Sequence, residues 1–257
     1  MQRSENYMRG LRVLLYHSIS ADGQRDRLTV SRRQLEQQFE YLRRKGYTAI
    51  LLSDLIAYCD GKKPLPPNPV LITFDDGLLN NVRIAYPLAK KYGIKINLFV
   101  VPVFMKQGRY REEPCLQPED IEGLDPALVE IGLHSYAHSN YTDLVPAEIA
   151  ADLERCLYSL QQMGIPYQPC LAYPFGAWPR RKDEAQDGFF KLLEQKGIRL
   201  AFRIGNRINP LPFRQKFLIQ RLDIRGNESF LRFRMSVAFG KKLFGMQGLA
   251  ARMKGLA

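Results

Sequence analysis

The chain has 257 residues, 46% of them hydrophobic, with a formal net charge of +12 at neutral pH. It can bury a full core, and it reads as one α/β domain rather than two small ones. No uncharged apolar run approaches the roughly 20 residues of a membrane span. The opening MQRSENYMRGLRVLLYHSIS carries neither a signal nor a transit pattern, so a cytoplasmic protein is expected. Cys59, Cys115, Cys156 and Cys170 are scattered without CxxC spacing, which excludes a disulfide scaffold and points to reduced structural thiols.

In chain order, apolar periodicity and punctuation predict a strand at 12–17, a helix at 32–45, a strand at 48–52, a short helix at 54–60, a strand at 70–74 and a helix at 80–92. Strands at 95–101 and near 129–133 follow, then a helix at 146–163, a strand at 170–173, a helix at 185–196 and strands at 199–204 and 217–222. Ser31 with Gln34 forms a capping box, stapled by Val30 and Leu35. RRKGYTAILL, KKYGIKINLFVV and EQKGIRLAFRI each read as a helix end, a glycine and an apolar strand, and QQMGIPYQPCLAYP is a looser copy. Alternating β and α in this order argues for a parallel sheet closed or nearly closed into a barrel. The segment 102–118 reads as irregular and overhangs the strand ends.

Residues 1–228 form the expected barrel domain, and 229–257 are a separate feature. No acidic residue occurs there, while Arg232, Arg234, Lys241, Lys242, Arg252 and Lys254 carry six positive charges, half of the net excess of +12. Leu231, Met235, Phe239, Leu243, Met246, Leu249, Met253 and Leu256 recur at helical steps, so a basic amphipathic C-terminal helix is expected. It either docks on the barrel or rests peripherally on an anionic membrane at its inner face. No basic and aromatic module for nucleic acid is present.

Loops leaving the C-terminal ends of parallel strands build the active site of such barrels. RVLLYH ends at His17, VLITFDD at Asp75 and Asp76, VEIGLH at His134 and CLAYPFG at Tyr173 to Gly176, and all three histidines of the chain fall at such ends or just after. HSYAH spaces His134 and His138 four apart, so both imidazoles can grip one ion. A carboxylate from another strand end completes a three-ligand set with positions open for water. Two adjacent aspartates are costly unless a cation, a proton or water compensates them. One serves as ligand while its neighbour accepts a proton from water.

TFDDG at 73–77, HSYAH at 134–138 and AYPFG at 172–176, preceded by LLYH at 14–17, resemble the polysaccharide deacetylase family, the NodB-homology domain of carbohydrate esterase family 4. The LLYH and YPFG forms are most similar to its poly-N-acetylglucosamine deacetylase branch. The resemblance spans about residues 11–225. It implies a distorted, incomplete (β/α) barrel and metal-dependent removal of N-acetyl, sometimes O-acetyl, groups from sugars.

By that resemblance Asp75 is the catalytic base, and Asp76, His134 and His138 hold a divalent metal, most simply zinc. The backbone N–H of Phe175 serves the oxyanion. Two family features are absent: Ala172 stands where the third motif has an arginine that pairs with the base, and no late leucine-x-histidine occurs. The branch resemblance puts His17 in the place of the general acid. Arg221 or Arg203, each on a late strand, is the candidate cation beside Asp75, and Tyr173 with Trp178 forms a candidate substrate wall.

The expected partner is an N-acetylated carbohydrate, nucleotide- or lipid-linked. The alternatives are a catalytically impaired glycan-binding homologue and an amide hydrolase acting on a small cyclic substrate. A two-histidine iron oxygenase is disfavoured by the α/β order, and a dehalogenase-type phosphatase by the direct adjacency of Asp75 and Asp76.

Overall fold

The computed structural model describes residues 10–179 and 184–241. The chain runs β1 (Arg12–Tyr16), β2 (Ser18–Ser20), β3 (Thr29–Ser31), α1 (Arg32–Arg44), β4 (Thr48–Ile50), α2 (Leu52–Cys59) and β5 (Pro69–Phe74). A π-helical turn, Asn81–Ala85, then leads into α3 (Tyr86–Tyr92), β6 (Ile96–Val100), α4 (Pro102–Gln107), the hairpin β7 (Arg109–Tyr110) and β8 (Glu113–Pro114), and α5 (Pro118–Glu122). The remainder is β9 (Val129–Leu133), α6 (Pro146–Gln162), β10 (Cys170–Ala172), a 3₁₀ turn at Pro174–Gly176, α7 (Glu184–Gln195), β11 (Leu200–Ile204), β12 (Ile219–Asp223) and α8 (Phe230–Phe239).

Seven parallel strands close on themselves in the order β1, β12, β11, β10, β9, β6, β5 and back to β1. β4 pairs with Pro69 to Leu71 of β5, whereas β6 pairs with Thr73 and Phe74. Because β1 runs along the other side of β5, β4 and β6 must divide one edge between them. The ring is thus one strand short of eight and distorted at that seam, as the resemblance implied.

Strand residues alternate between the barrel interior and the helical layer. Leu11, Val13, Leu71, Phe99, Cys170, Ala172, Leu200, Phe202 and Ile219 fill the interior. Leu14, Tyr16, Ile72, Phe74, Leu98, Leu133, Leu171, Tyr173, Ala201 and Leu222 face outward into the larger core beneath the helices. Toward the C-terminal rim the inward rows become polar: Leu71 is followed by Thr73 and Asp75, and Ile219 by Arg221 and Asp223. Gly132 makes room for this arrangement, since a Cβ there would lie 2.5 Å from the Phe99 ring.

Ser31 and Gln34 form the expected capping box, with Val30 and Leu35 both buried. The glycines of the four repeated helix ends, Gly46, Gly93, Gly164 and Gly197, all adopt positive φ. Three expectations need correction. The segment 102–118 is not irregular but holds α4 and the β7–β8 hairpin. The helix 80–92 opens with a π-helical turn. On α8 the face turned to the body is Phe233, Ser236 and Val237 rather than the stripe containing Leu231 and Met235. Tyr41 of α1 meets the rings of Phe230 and Phe233 edge-on, which selects that face, and Leu231 stays 63% exposed. The rest of the expected basic helix, from Lys242 onward, lies outside the described residues. Among those described, no helix is long and apolar enough to cross a membrane.

Candidate metal centre and catalytic site

The TFDDG motif leaves β5 through two consecutive left-handed residues, Asp76 at φ 72° and Gly77 at φ 66°. Gly77 is needed for its conformation and for contact, because an added Cβ would sit 3.2 Å from the Val100 side chain on β6. The turn delivers two carboxylates into different surroundings. Asp75 is buried, and both of its oxygens accept from Arg221, Nη1 to Oδ1 at 2.6 Å and Nη2 to Oδ2 at 2.8 Å. Arg221 is itself fully buried, with its guanidinium over the Phe99 ring at 5.7 Å and its Nη1 at 3.5 Å from the Thr73 hydroxyl. Burial by itself would raise the Asp75 pKa, but the fixed charge of Arg221 overrides it and holds the carboxyl down to about 2.

Asp76 faces the histidines instead. Its Oδ1 is 3.6 Å from His134 Nε2 and 3.4 Å from His138 Nε2. The ligand atoms of Asp76, His134 and His138 all lie within 4.8 Å of one another. The His134 ring is oriented by its other nitrogen, which bonds the Ala172 carbonyl at 2.7 Å. A carbonyl only accepts, so Nδ1 carries a proton and Nε2 is the ring atom left facing Asp76. The pKa of His138 is pushed down to about 3 by burial and by the neighbouring His134, so this ring is unprotonated at neutral pH.

Two imidazole Nε2 atoms therefore converge on a carboxylate oxygen that is buried without a hydrogen-bond partner. Burial pushes the Asp76 pKa upward. Two ring nitrogens and a carboxylate oxygen this close together are a donor set that a divalent cation fits.

His17 follows β1 at the same rim, within electrostatic reach of Asp75, Asp76 and His138. Its backbone carbonyl is held by the Asn81 side chain at 2.7 Å, and its Nδ1 is buried with no hydrogen-bond partner. Phe175 occupies the 3₁₀ turn at φ 58°, with a ring that is 60% exposed and meets His138 edge-on at 4.6 Å. On the other side of His138 stand Phe104 and Tyr110, stacked at 4.0 Å and centred 5.6 and 5.7 Å from the imidazole. These two rings come from the segment 102–118, whose sequence named no ligand; the neighbouring metal motifs were its only pointer.

Two expected site residues are elsewhere. Tyr173 is fully buried on the outward face of β10, donates its hydroxyl to the Phe217 carbonyl at 2.9 Å and packs with Tyr141 and Phe189, so it lines no substrate wall. Trp178 is likewise a core residue, stacked on Phe190 at 6.0 Å. The cation beside Asp75 is Arg221. Arg203 pairs in register with Gln220, one residue out of phase with Arg221, and so belongs to the opposite face of the sheet.

A family model described as polysaccharide deacetylase matches residues 62–200, just over half of the chain. The chain belongs to the polysaccharide deacetylase family. YxkH of Bacillus subtilis, a protein named for these deacetylases, is 26% identical over 168 residues, 65% of this chain and 57% of its own. The poly-β-1,6-N-acetyl-D-glucosamine N-deacetylase of Escherichia coli is 27% identical over 84 residues, 32% of this chain and 12% of that enzyme. The chain thus spans little more than half of the first relative and a small part of the second.

Among solved structures, IcaB from Ammonifex degensii superposes with a TM-score of 0.73 at 26% identity, covering 89% of this chain and 96% of that one. The Streptococcus pyogenes deacetylase PplD, solved with acetate, gives a TM-score of 0.74 at 18% identity over 89% and 98% of the two chains. At that identity the likeness concerns the barrel fold alone.

Proposed function

We propose that the protein is a metal-dependent hydrolase that removes N-acetyl groups from an N-acetylated sugar or glycan. The observation that carries this reading is the divided pair of carboxylates, Asp75 fixed by Arg221 and Asp76 facing His134 and His138. Two imidazoles and one carboxylate suit Zn²⁺, the ion we propose, which when bound would polarise the acetyl carbonyl and make water more acidic.

The protein side chains divide the remaining work. Asp75 stays ionised, and its Oδ2, which lies 3.6 Å from His134 Nε2, still has a lone pair to take the proton of the attacking water. The water oxygen bonds to the acetyl carbon, the backbone N–H of Phe175 steadies the developing oxyanion, and the C–N bond then breaks. His17 gives a proton to the leaving amine, so acetate and a free amino sugar result. Arg221 supplies from β12 the charge whose absence at Ala172 motivated the impaired, glycan-binding alternative.

The names of the Escherichia coli relative and its like make β-linked N-acetylglucosamine oligomers the first substrates to test, ahead of nucleotide- or lipid-linked sugars. Metal-stripped protein should release acetate from such oligomers only after Zn²⁺ is restored, and Asp75→Asn should bind the ion without turnover. Metal uptake without acetate release across all these substrates would leave the glycan-binding reading in its place.

We also propose a peripheral contact with anionic membranes through α8. Leu231 is 63% exposed beside the exposed Arg232, which puts an apolar and a cationic group together away from Tyr41. Sedimentation with phosphatidylglycerol vesicles should fall for Leu231→Glu; unchanged sedimentation would remove this contact.

A further inference from the structure

The turn that carries both metal-binding histidines is held in a conformation its own residues disfavour. Ser135 has φ 63° and His138 φ 57°, both left-handed and neither a glycine, so neighbouring structure must impose the shape. The imposing group lies on α6. The Asp152 carboxylate accepts the backbone N–H of Tyr136 at 3.0 Å, that of Ala137 at 3.3 Å and the Tyr141 hydroxyl at 2.8 Å. Tyr136 is anchored from the other direction, its carbonyl accepting from the Val103 N–H at 3.1 Å.

We infer that Asp152 is a positioning residue for metal binding, acting through the peptide units between His134 and His138; this rests on the metal reading of Asp76, His134 and His138. Asp152 is 8% exposed, and no lysine or arginine among the described residues pairs with it, so its oxygens are committed to this turn and to Tyr141. His134 is oriented independently by the Ala172 carbonyl, whereas His138, at the far end of the turn, depends on the backbone path that Asp152 dictates. Metal ligands tolerate displacements of only a few tenths of an ångström, and loss of an outer partner commonly weakens affinity by about 10- to 100-fold.

The test titrates Zn²⁺ into the metal-stripped full chain against a chromophoric chelator and records Tm with and without the ion. Asp152→Asn keeps the volume but turns an amide N–H toward one of the backbone donors. Its Zn²⁺ Kd should rise by about 10- to 100-fold, with a smaller Tm gain on metal addition. Tyr141→Phe keeps the charge of Asp152 and removes one of its three donors, so its Kd should rise by a few fold; that excludes a purely through-space effect of charge. A merely structural role would lower Tm equally with and without metal and leave Kd unchanged. A folded Asp152→Asn with the wild-type Kd overturns the inference, and if that variant does not fold, an unchanged Kd in Tyr141→Phe does so. Wild-type protein that takes up no Zn²⁺ would instead defeat the metal reading itself.

Discussion

Replacing Arg221 with methionine, of similar length and no charge, isolates the role of the guanidinium that grips Asp75. Holding the Asp75 pKa at about 2 rather than 3.8 corresponds to about 2 kcal/mol of stability. Removing one partner of a buried pair also strands the other, and together these effects reach about 3–5 kcal/mol. For a domain of this size that is a fall of roughly 6–20 °C in Tm. In the wild type the depressed pKa stabilises the fold above pH 3.8, and the contribution is lost as pH falls through about 2. Without Arg221, burial dominates and the Asp75 pKa rises, so the variant regains stability on acidification as the stranded charge is protonated. The assay is thermal and urea denaturation of the metal-free protein at pH 7.5 and 4.5. The gap between wild type and variant should be wider at pH 7.5, and adding Asp75→Asn to Arg221→Met should recover stability. A gap below about 1 kcal/mol, or one that widens at pH 4.5, would refute the argument.

Gly132→Ala should cost about 1–3 kcal/mol and lower turnover, because the displaced Phe99 ring underlies Arg221; denaturation and acetate release together check it. His17→Ala should keep its metal, lose acetate release from N-acetylated sugars and retain most cleavage of 4-nitrophenyl acetate, whose leaving group needs no proton; equal losses on both substrates would contradict the acid role. Tyr173→Phe should lower stability by about 1 kcal/mol through loss of its bond to the Phe217 carbonyl, with kcat unchanged. Arg203→Ala should leave Asp75 paired, and kcat should stay within about two-fold of wild type.

The convergence of Asp76, His134 and His138 was legible because FDDG, HSYAH and the strand ends fix both residue type and place in a parallel barrel. Tyr173 and Arg203 went astray for a reason of parity. Barrel strands are buried on both faces, so Ala172 beside Tyr173, or Phe202 beside Arg203, shows no polar and apolar alternation to mark which side chain points inward. Arg221 became recognisable only once β12 was seen to carry it in the inward row with Ile219. The order of the segment 102–118 comes from anchors distant in sequence, such as Leu116 N–H to the Gly77 carbonyl at 2.8 Å. No local propensity reports those. Around α8 apolar residues occur on several sides, and only contact with Tyr41 decided which of them is covered.

Ala172 and Arg221 both belong to the inward rows, and both rows lead toward Asp75. Arg221 already takes both oxygens of that carboxylate, so a second arginine on the Ala172 row would find Asp75 engaged. The cation beside a buried acid is thus a matter of row and level rather than of motif: β12 can supply through tertiary packing what a strand next in the motif order does not carry.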